Sequence, residues 1–108
     1  MLNKLECGKQ LGIEKRIKKD LKYYWYSYAI QKKLNIYYVY ECEIAEDNMA
    51  SEIYEYENVY KYTSLEDAIK NFPCKYEICF EDIHTLKGQK IFNVDFYVNE
   101  WLLVRIVY

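Results

Sequence analysis

The side chains best suited to catalysis are few in this chain. It has one histidine, His84, and four cysteines. Nucleophilic catalysis needs an imidazole held beside a nucleophile and an orienting group. Cys79 and Asp82 lie near His84 in sequence, but no motif typical of a nucleophile turn or an oxyanion hole accompanies them. The sequence therefore predicts a protein that is not an enzyme.

Motifs for metals and nucleotides lack the required spacing. Zinc sites usually begin with a pair such as C-x₂₋₄-C. Cys74 and Cys79 lie at the limit of that spacing, and a fourth ligand beside His84 would have to come from Cys7 or Asp82. The glycines of residues 8–12 do not follow the G-x-x-x-x-G-K-[ST] order of a phosphate loop. We expect no bound metal and no cofactor.

Charge is distributed in blocks, although the net charge is only −2. Residues 1–33 carry nine basic against three acidic side chains, whereas residues 34–60 carry seven acidic side chains and no Lys or Arg. Eleven of the fourteen tyrosines lie between Tyr23 and Tyr62. Blocked charge creates local potentials that the net charge hides.

The acidic, tyrosine-rich segment is the main candidate binding surface. Its carboxylates alternate with aromatic and aliphatic residues, so a strand would display them on one face. Tyrosine offers a large amphipathic contact area and is enriched at protein interfaces. The alternative is a solvated sheet face whose tyrosines belong to the core. The candidate partner-binding residues are Glu41, Glu43, Glu46, Asp47, Glu52, Tyr54, Glu55, Tyr56 and Glu57.

The basic N-terminal segment is the second candidate surface. On a helical period, four lysines lie opposite an apolar stripe of Ile13, Ile17 and Leu21. Such a surface could contact phosphates, or it could pair with the acidic segment within the same molecule. The candidate nucleic-acid-binding residues are Lys15, Lys18, Lys19 and Lys22.

These surfaces must be positioned by an α+β fold with about five antiparallel strands. We expect an amphipathic helix over Ile13–Lys22, then a hairpin of residues 23–30 and 36–44. Residues 23–30 could also extend the helix, but their aromatic content favours a strand. The alternation of the second strand divides its side chains between two faces. Those expected to point inward are Ile36, Tyr38, Tyr40, Cys42 and Ile44. Those expected to point outward are Tyr37, Val39, Glu41 and Glu43.

The rest of the chain predicts one helix and further strands. Thr63 and Glu66 fit a capping box, so a short helix should occupy residues near 64–72 and end at Pro73. Extended segments are expected over residues 52–62, 77–83, 91–98 and 101–108, with turns near 46–48 and 87–89. The length suits a single compact domain of residues 1–108.

Composition adds an expectation about provenance and class. No apolar run reaches the length of a membrane helix, and the first residues lack the apolar core of a signal peptide, so we expect a soluble, cytoplasmic protein. Abundant Lys, Ile, Tyr and Asn is typical of a low-GC bacterium and its phages or mobile elements. This profile resembles that of anti-CRISPR inhibitors, which implies occupation of a basic groove on a larger protein. An immunity protein against a basic toxin nuclease would share the same features.

Overall fold

The computed structural model describes residues 2–98, which surround a five-stranded antiparallel sheet. The strands are β1 (Leu11–Lys19), β2 (Lys22–Lys33), β3 (Ile36–Ala45), β4 (Tyr56–Tyr62) and β5 (His84–Thr85). Their order across the sheet is β4-β3-β2-β1-β5. The helices are α1 (Leu2–Glu6), α2 (Leu65–Lys70) and residues 94–98, with 3₁₀ turns at Glu46–Asn48 and Phe80–Asp82. The predicted α+β class is confirmed.

The central hairpin is the one expected from the aromatic and alternating runs. Residues 23–30 lie within β2 and residues 36–44 within β3, so the strand interpretation of the first run is correct. A tight turn at Leu34 and Asn35 joins the strands, and both residues have a positive φ. The register pairs Tyr26 with Glu43 and Tyr28 with Glu41. These pairs set up the polar contacts described below.

The predicted N-terminal amphipathic helix over Ile13–Lys22 is wrong, because most of that segment forms β1. Ile13 and Ile17 are four residues apart, and that spacing fits a strand as well as a helix. Two-residue alternation places both isoleucines on the same side as Lys15 and Lys19, where they pair with β2. The full-length pairing with β2 therefore outweighs helix propensity. Leu21 lies in the following turn and is exposed.

The helix predicted near residues 64–72 is confirmed as α2. The capping residue is Ser64, one position after the predicted Thr63. The Ser64 hydroxyl accepts a hydrogen bond from the backbone N–H of Asp67 at 3.1 Å. This bond satisfies one of the free N–H groups at the helix start.

Three predicted strands differ from the structure. Residues 52–55 precede β4, and residues 77–83 contain a 3₁₀ turn after several positive-φ positions. Residues 94–98 are helical, since the buried Val94 and Val98 are one helical turn apart. The strand predicted at 101–108 lies outside the described residues.

Both faces of the sheet carry a core. Face A is the side of β2 and β3 that bears Tyr26, Tyr28, Glu41 and Glu43, and α1, α2 and residues 72–83 cover it. Face B is the opposite side, which residues 91–98 cover. The predicted inward residue Cys42 is buried on face B. Two-sided coverage explains why β3 is buried along almost its whole length.

Candidate functional site

Two of the predicted partner-binding carboxylates are interior groups. Glu41 and Glu43 are each only 4% exposed, so the expectation that they point to solvent is wrong. Glu41 accepts a hydrogen bond from the Tyr26 hydroxyl at 2.7 Å and lies 3.4 Å from the Lys75 ammonium group. Glu43 accepts hydrogen bonds from the Lys19 ammonium group, at 2.9 Å, and from the Tyr76 hydroxyl. Both carboxylates are therefore compensated within the fold.

The partners of these carboxylates have shifted pKa values. Burial raises the pKa of Tyr26, and the hydrogen bond to Glu41 raises it further because it favours the protonated phenol. Burial alone would lower the pKa of Lys19, but its contacts with Tyr76 and Glu43 raise it overall. Burial would likewise lower the pKa of Lys75, but its contacts with Tyr56 and Glu41 raise that pKa overall. Lys19 and Lys75 thus remain charged beside the buried carboxylates.

Three further predicted residues also have partners within the fold. Glu46 forms an ion pair with Arg16 at 2.9 Å. Glu57 accepts a hydrogen bond from the Tyr40 hydroxyl, although the Glu57 residue itself is exposed. Tyr56, one of the predicted partner-binding residues, is half-buried and accepts a hydrogen bond from Lys75 at 3.1 Å. These contacts leave a smaller set of predicted residues available to a partner.

The available set is concentrated in the β3–β4 connection, defined here as residues 46–55. Asp47, Glu52 and Glu55 are exposed there. Among the described residues, no Lys or Arg forms an ion pair with these three carboxylates. Tyr54 is 37% exposed in the same segment. The connection therefore carries uncompensated negative charge.

Two apolar residues of this connection were missed by the sequence reasoning. Met49 is 46% exposed and Ile53 is 59% exposed, and both lie between the exposed carboxylates in sequence. Ile53 interrupts the strand alternation of residues 52–62. That interruption is the sequence feature that could have indicated an exposed apolar side chain. Exposed apolar groups ringed by charge are typical of an interaction site.

An open groove of about 440 Å³ runs beside the connection on face B. Tyr54, Met49 and Glu52 form one wall, and Trp25 with Glu14 extends the lining along β2 and β1. Ser27 and Cys42 line it from the sheet. Aromatic rings next to carboxylates favour a cationic side chain, through cation–π and ionic contacts together. The groove also contains Lys90, at the side formed by residues 86–91.

The four lysines of the second candidate surface do not form one face. Lys15 donates a hydrogen bond to the Tyr76 carbonyl oxygen at 2.7 Å, and Lys19 pairs with Glu43. Lys18 and Lys22 are exposed near the β1–β2 turn, but register places Lys18 on face B and Lys22 on face A. The sequence also allowed the basic segment to pair with the acidic segment within the same molecule. Lys19 forms such a pair with Glu43.

The residues considered for catalysis or metal binding are dispersed. His84 is exposed, and its Nδ1 lies 2.8 Å from the Thr85 carbonyl oxygen. Cys7, Cys74 and Cys79 are exposed free thiols. Within residues 2–98, no three His, Cys, Asp or Glu side chains are grouped closely enough to hold a metal ion.

Comparison with known proteins gives no relative on which to base a function. No protein-family model matches the chain, and no curated protein or solved structure matches it significantly. No helix in residues 2–98 has the length and apolar character needed to cross a membrane.

Proposed function

We propose that this chain is a small non-enzymatic inhibitor that acts in the cytoplasm. Its β3–β4 connection would occupy a basic, nucleic-acid-binding groove of a larger protein. The single observation that supports this proposal is the set of exposed carboxylates Asp47, Glu52 and Glu55, which form no ion pair within residues 2–98, beside exposed Met49, Ile53 and Tyr54.

The two kinds of side chain would contribute differently to binding. The carboxylates steer the encounter with a basic groove and exclude acidic competitors, so their effect decreases as salt concentration rises. Tyr54 and Ile53 are the candidate anchors, because buried aromatic and aliphatic side chains supply most of the affinity at an interface. The neighbouring groove on face B would accept a Lys or Arg side chain of the partner beside Trp25 and Glu52.

Two classes of partner present a suitable basic groove. One is an RNA-guided nuclease, which anti-CRISPR-like inhibitors carried by phages or other mobile elements block. The other is a toxin nuclease, which an immunity protein neutralises. In both cases the carboxylates would take the positions of phosphate groups, so a nucleic acid and this protein would compete for the same groove.

The test is capture of host proteins on the immobilised protein, followed by mass spectrometry and competition with an oligonucleotide. The wild-type protein should retain a basic nucleic-acid-binding protein that the oligonucleotide displaces. A triple variant, Asp47→Lys, Glu52→Lys and Glu55→Lys, should lose this capture while its circular dichroism spectrum and melting temperature stay close to wild type.

A matched control separates the connection from total charge. Glu66, Glu77 and Glu81 are also exposed, and replacing all three with Lys changes the formal charge by the same amount. This control variant should still capture the partner. Equal loss in both variants, or retained capture by the connection variant, contradicts the proposal. If the wild type bound the oligonucleotide directly, its basic residues would be assigned the function instead.

A further inference from the structure

A second cavity, of about 220 Å³, lies between face A and the chain that follows β4. Val39 and Tyr62 line it from the sheet, and Ala68 and Pro73 line it from the opposite side. Tyr60 and Asn71 also line the cavity, and both are exposed to solvent, so they form its rim. A cavity of about 150 Å³ with apolar walls is large enough to hold benzene.

One polar group of this cavity lacks the partner that burial demands. Tyr28 lines the cavity and is 1% exposed, and its hydroxyl is the one buried side-chain polar atom in residues 2–98 without a hydrogen bond. Phe72 packs edge-on against the Tyr28 ring, with 4.8 Å between ring centroids, and so fixes the ring. Buried polar atoms are nearly always paired, so this hydroxyl is unusual.

The second polar group is the carboxylate of Glu41, which also lines the cavity. Tyr26 and Lys75 both approach its Oε2 atom. Oε1 can therefore accept a further hydrogen bond. Because Lys75 already compensates the charge of Glu41, the complementary ligand is a neutral donor rather than a second cation.

We propose that the cavity between face A and α2 binds a small neutral aromatic molecule that carries a hydroxyl group. The ring would lie between Val39, Ala68 and Pro73. The ligand hydroxyl would accept a hydrogen bond from Tyr28 and donate one to Glu41. This site is separate from the β3–β4 connection and does not depend on the function proposed for it.

The test uses phenol, with toluene as a probe of similar shape that lacks the hydroxyl. Binding is measured by titration of the ¹⁵N-labelled full chain, followed by NMR. Phenol should bind about fivefold or more tightly than toluene, the effect of one typical hydrogen bond. The shifted signals should include those of Ala68 and Asn71.

Two variants locate the site. Tyr28→Phe removes only the unpaired hydroxyl, and it should reduce the phenol affinity about fivefold while leaving the toluene affinity unchanged. Ala68→Leu fills the cavity and should abolish binding of both probes. The proposal is overturned if neither probe binds the wild type, if phenol binds no tighter than toluene, or if the shifted signals lie elsewhere. An unchanged preference for phenol in Tyr28→Phe would overturn it as well.

Discussion

Tyr26 and Tyr28 form a natural matched pair for testing how buried hydroxyl groups affect stability. Both lie on β2, both point to face A, and both are 1% exposed. The Tyr26 hydroxyl donates to Glu41 at 2.7 Å, whereas the Tyr28 hydroxyl has no hydrogen-bond partner in the described part of the chain. Phenylalanine removes the hydroxyl in each case and leaves the ring packing in place.

The two substitutions should therefore have different effects on the free energy of unfolding. A hydrogen bond to a charged group contributes about 1.5–3 kcal/mol, so Tyr26→Phe should lower the stability by about 2 kcal/mol. Tyr28→Phe removes a hydroxyl that is shielded from water and makes no hydrogen bond within residues 2–98. In the absence of ligand its effect should lie between no change and a gain of about 1 kcal/mol.

The predicted loss for Tyr26→Phe is large enough to measure by heat as well as by denaturant. Typical unfolding entropies of about 2.1 cal/mol/K per residue give roughly 0.23 kcal/mol/K for this chain of 108 residues. A loss of about 2 kcal/mol then lowers the melting temperature by about 9 °C. The assay is urea unfolding followed by circular dichroism, with thermal melts as a second measurement.

The comparison between the variants decides the outcome. Losses that agree within about 0.5 kcal/mol would refute the argument, because the hydrogen bond to Glu41 would then contribute nothing specific. A larger loss in Tyr28→Phe would mean that its hydroxyl is paired in solution. That result would also remove the main support for the aromatic ligand site.

Three further predictions concern pH, packing and a turn. Burial raises the pKa of Tyr26, Tyr28 and Tyr40 above the usual value of about 10. The unfolded chain therefore loses these protons first, and stability should fall as pH rises above about 10; urea midpoints that stay constant from pH 8 to 11 would contradict this. Gly12→Ala should lower the free energy of unfolding by about 3 kcal/mol, because the new Cβ would lie 2.5 Å from the Tyr28 carbonyl oxygen. In the control Gly88→Ala, the new Cβ meets no atom within 4 Å and only the positive φ is penalised, so urea unfolding should give a loss of about 1 kcal/mol. Leu34→Asn should raise the free energy of unfolding by about 1 kcal/mol, since asparagine tolerates the positive φ at this exposed turn. The urea midpoint should therefore rise, and a lowered midpoint would refute the prediction.

Local patterns were sufficient to predict the elements whose signals are unambiguous. The alternation of residues 36–44 predicted β3, and four of its five predicted inward residues are buried, namely Tyr38, Tyr40, Cys42 and Ile44. The pairing of Thr63 with Glu66 predicted the start of α2 within one residue. The segregation of charge also follows from the sequence alone, and it predicted a binding surface over residues 41–57.

Spacings that fit two periods could not be resolved locally. Ile13 and Ile17 satisfy both a helix and a strand, and pairing with β2 decides for the strand. Val94 and Val98 present the same ambiguity, and there the helix is formed. Pairing is a contact between distant segments, so the pattern within one segment does not determine it.

The tertiary structure alone decided which carboxylates can meet a partner. Alternation divides the side chains of β3 into two sets, but it does not say whether one or both faces are covered. Here α2 and residues 72–83 cover face A, so Glu41 and Glu43 are buried and paired with Lys75 and Lys19. A buried carboxylate requires a compensating donor, and these donors come from segments distant in the chain. The sequence by itself therefore determined that the middle of the chain is acidic and aromatic. Only the packing of α2 and residues 72–83 decided that Glu41 and Glu43 are buried. The exposed carboxylates of this acidic segment that have neither an ion pair nor a side-chain hydrogen bond within residues 2–98 therefore lie in the β3–β4 connection.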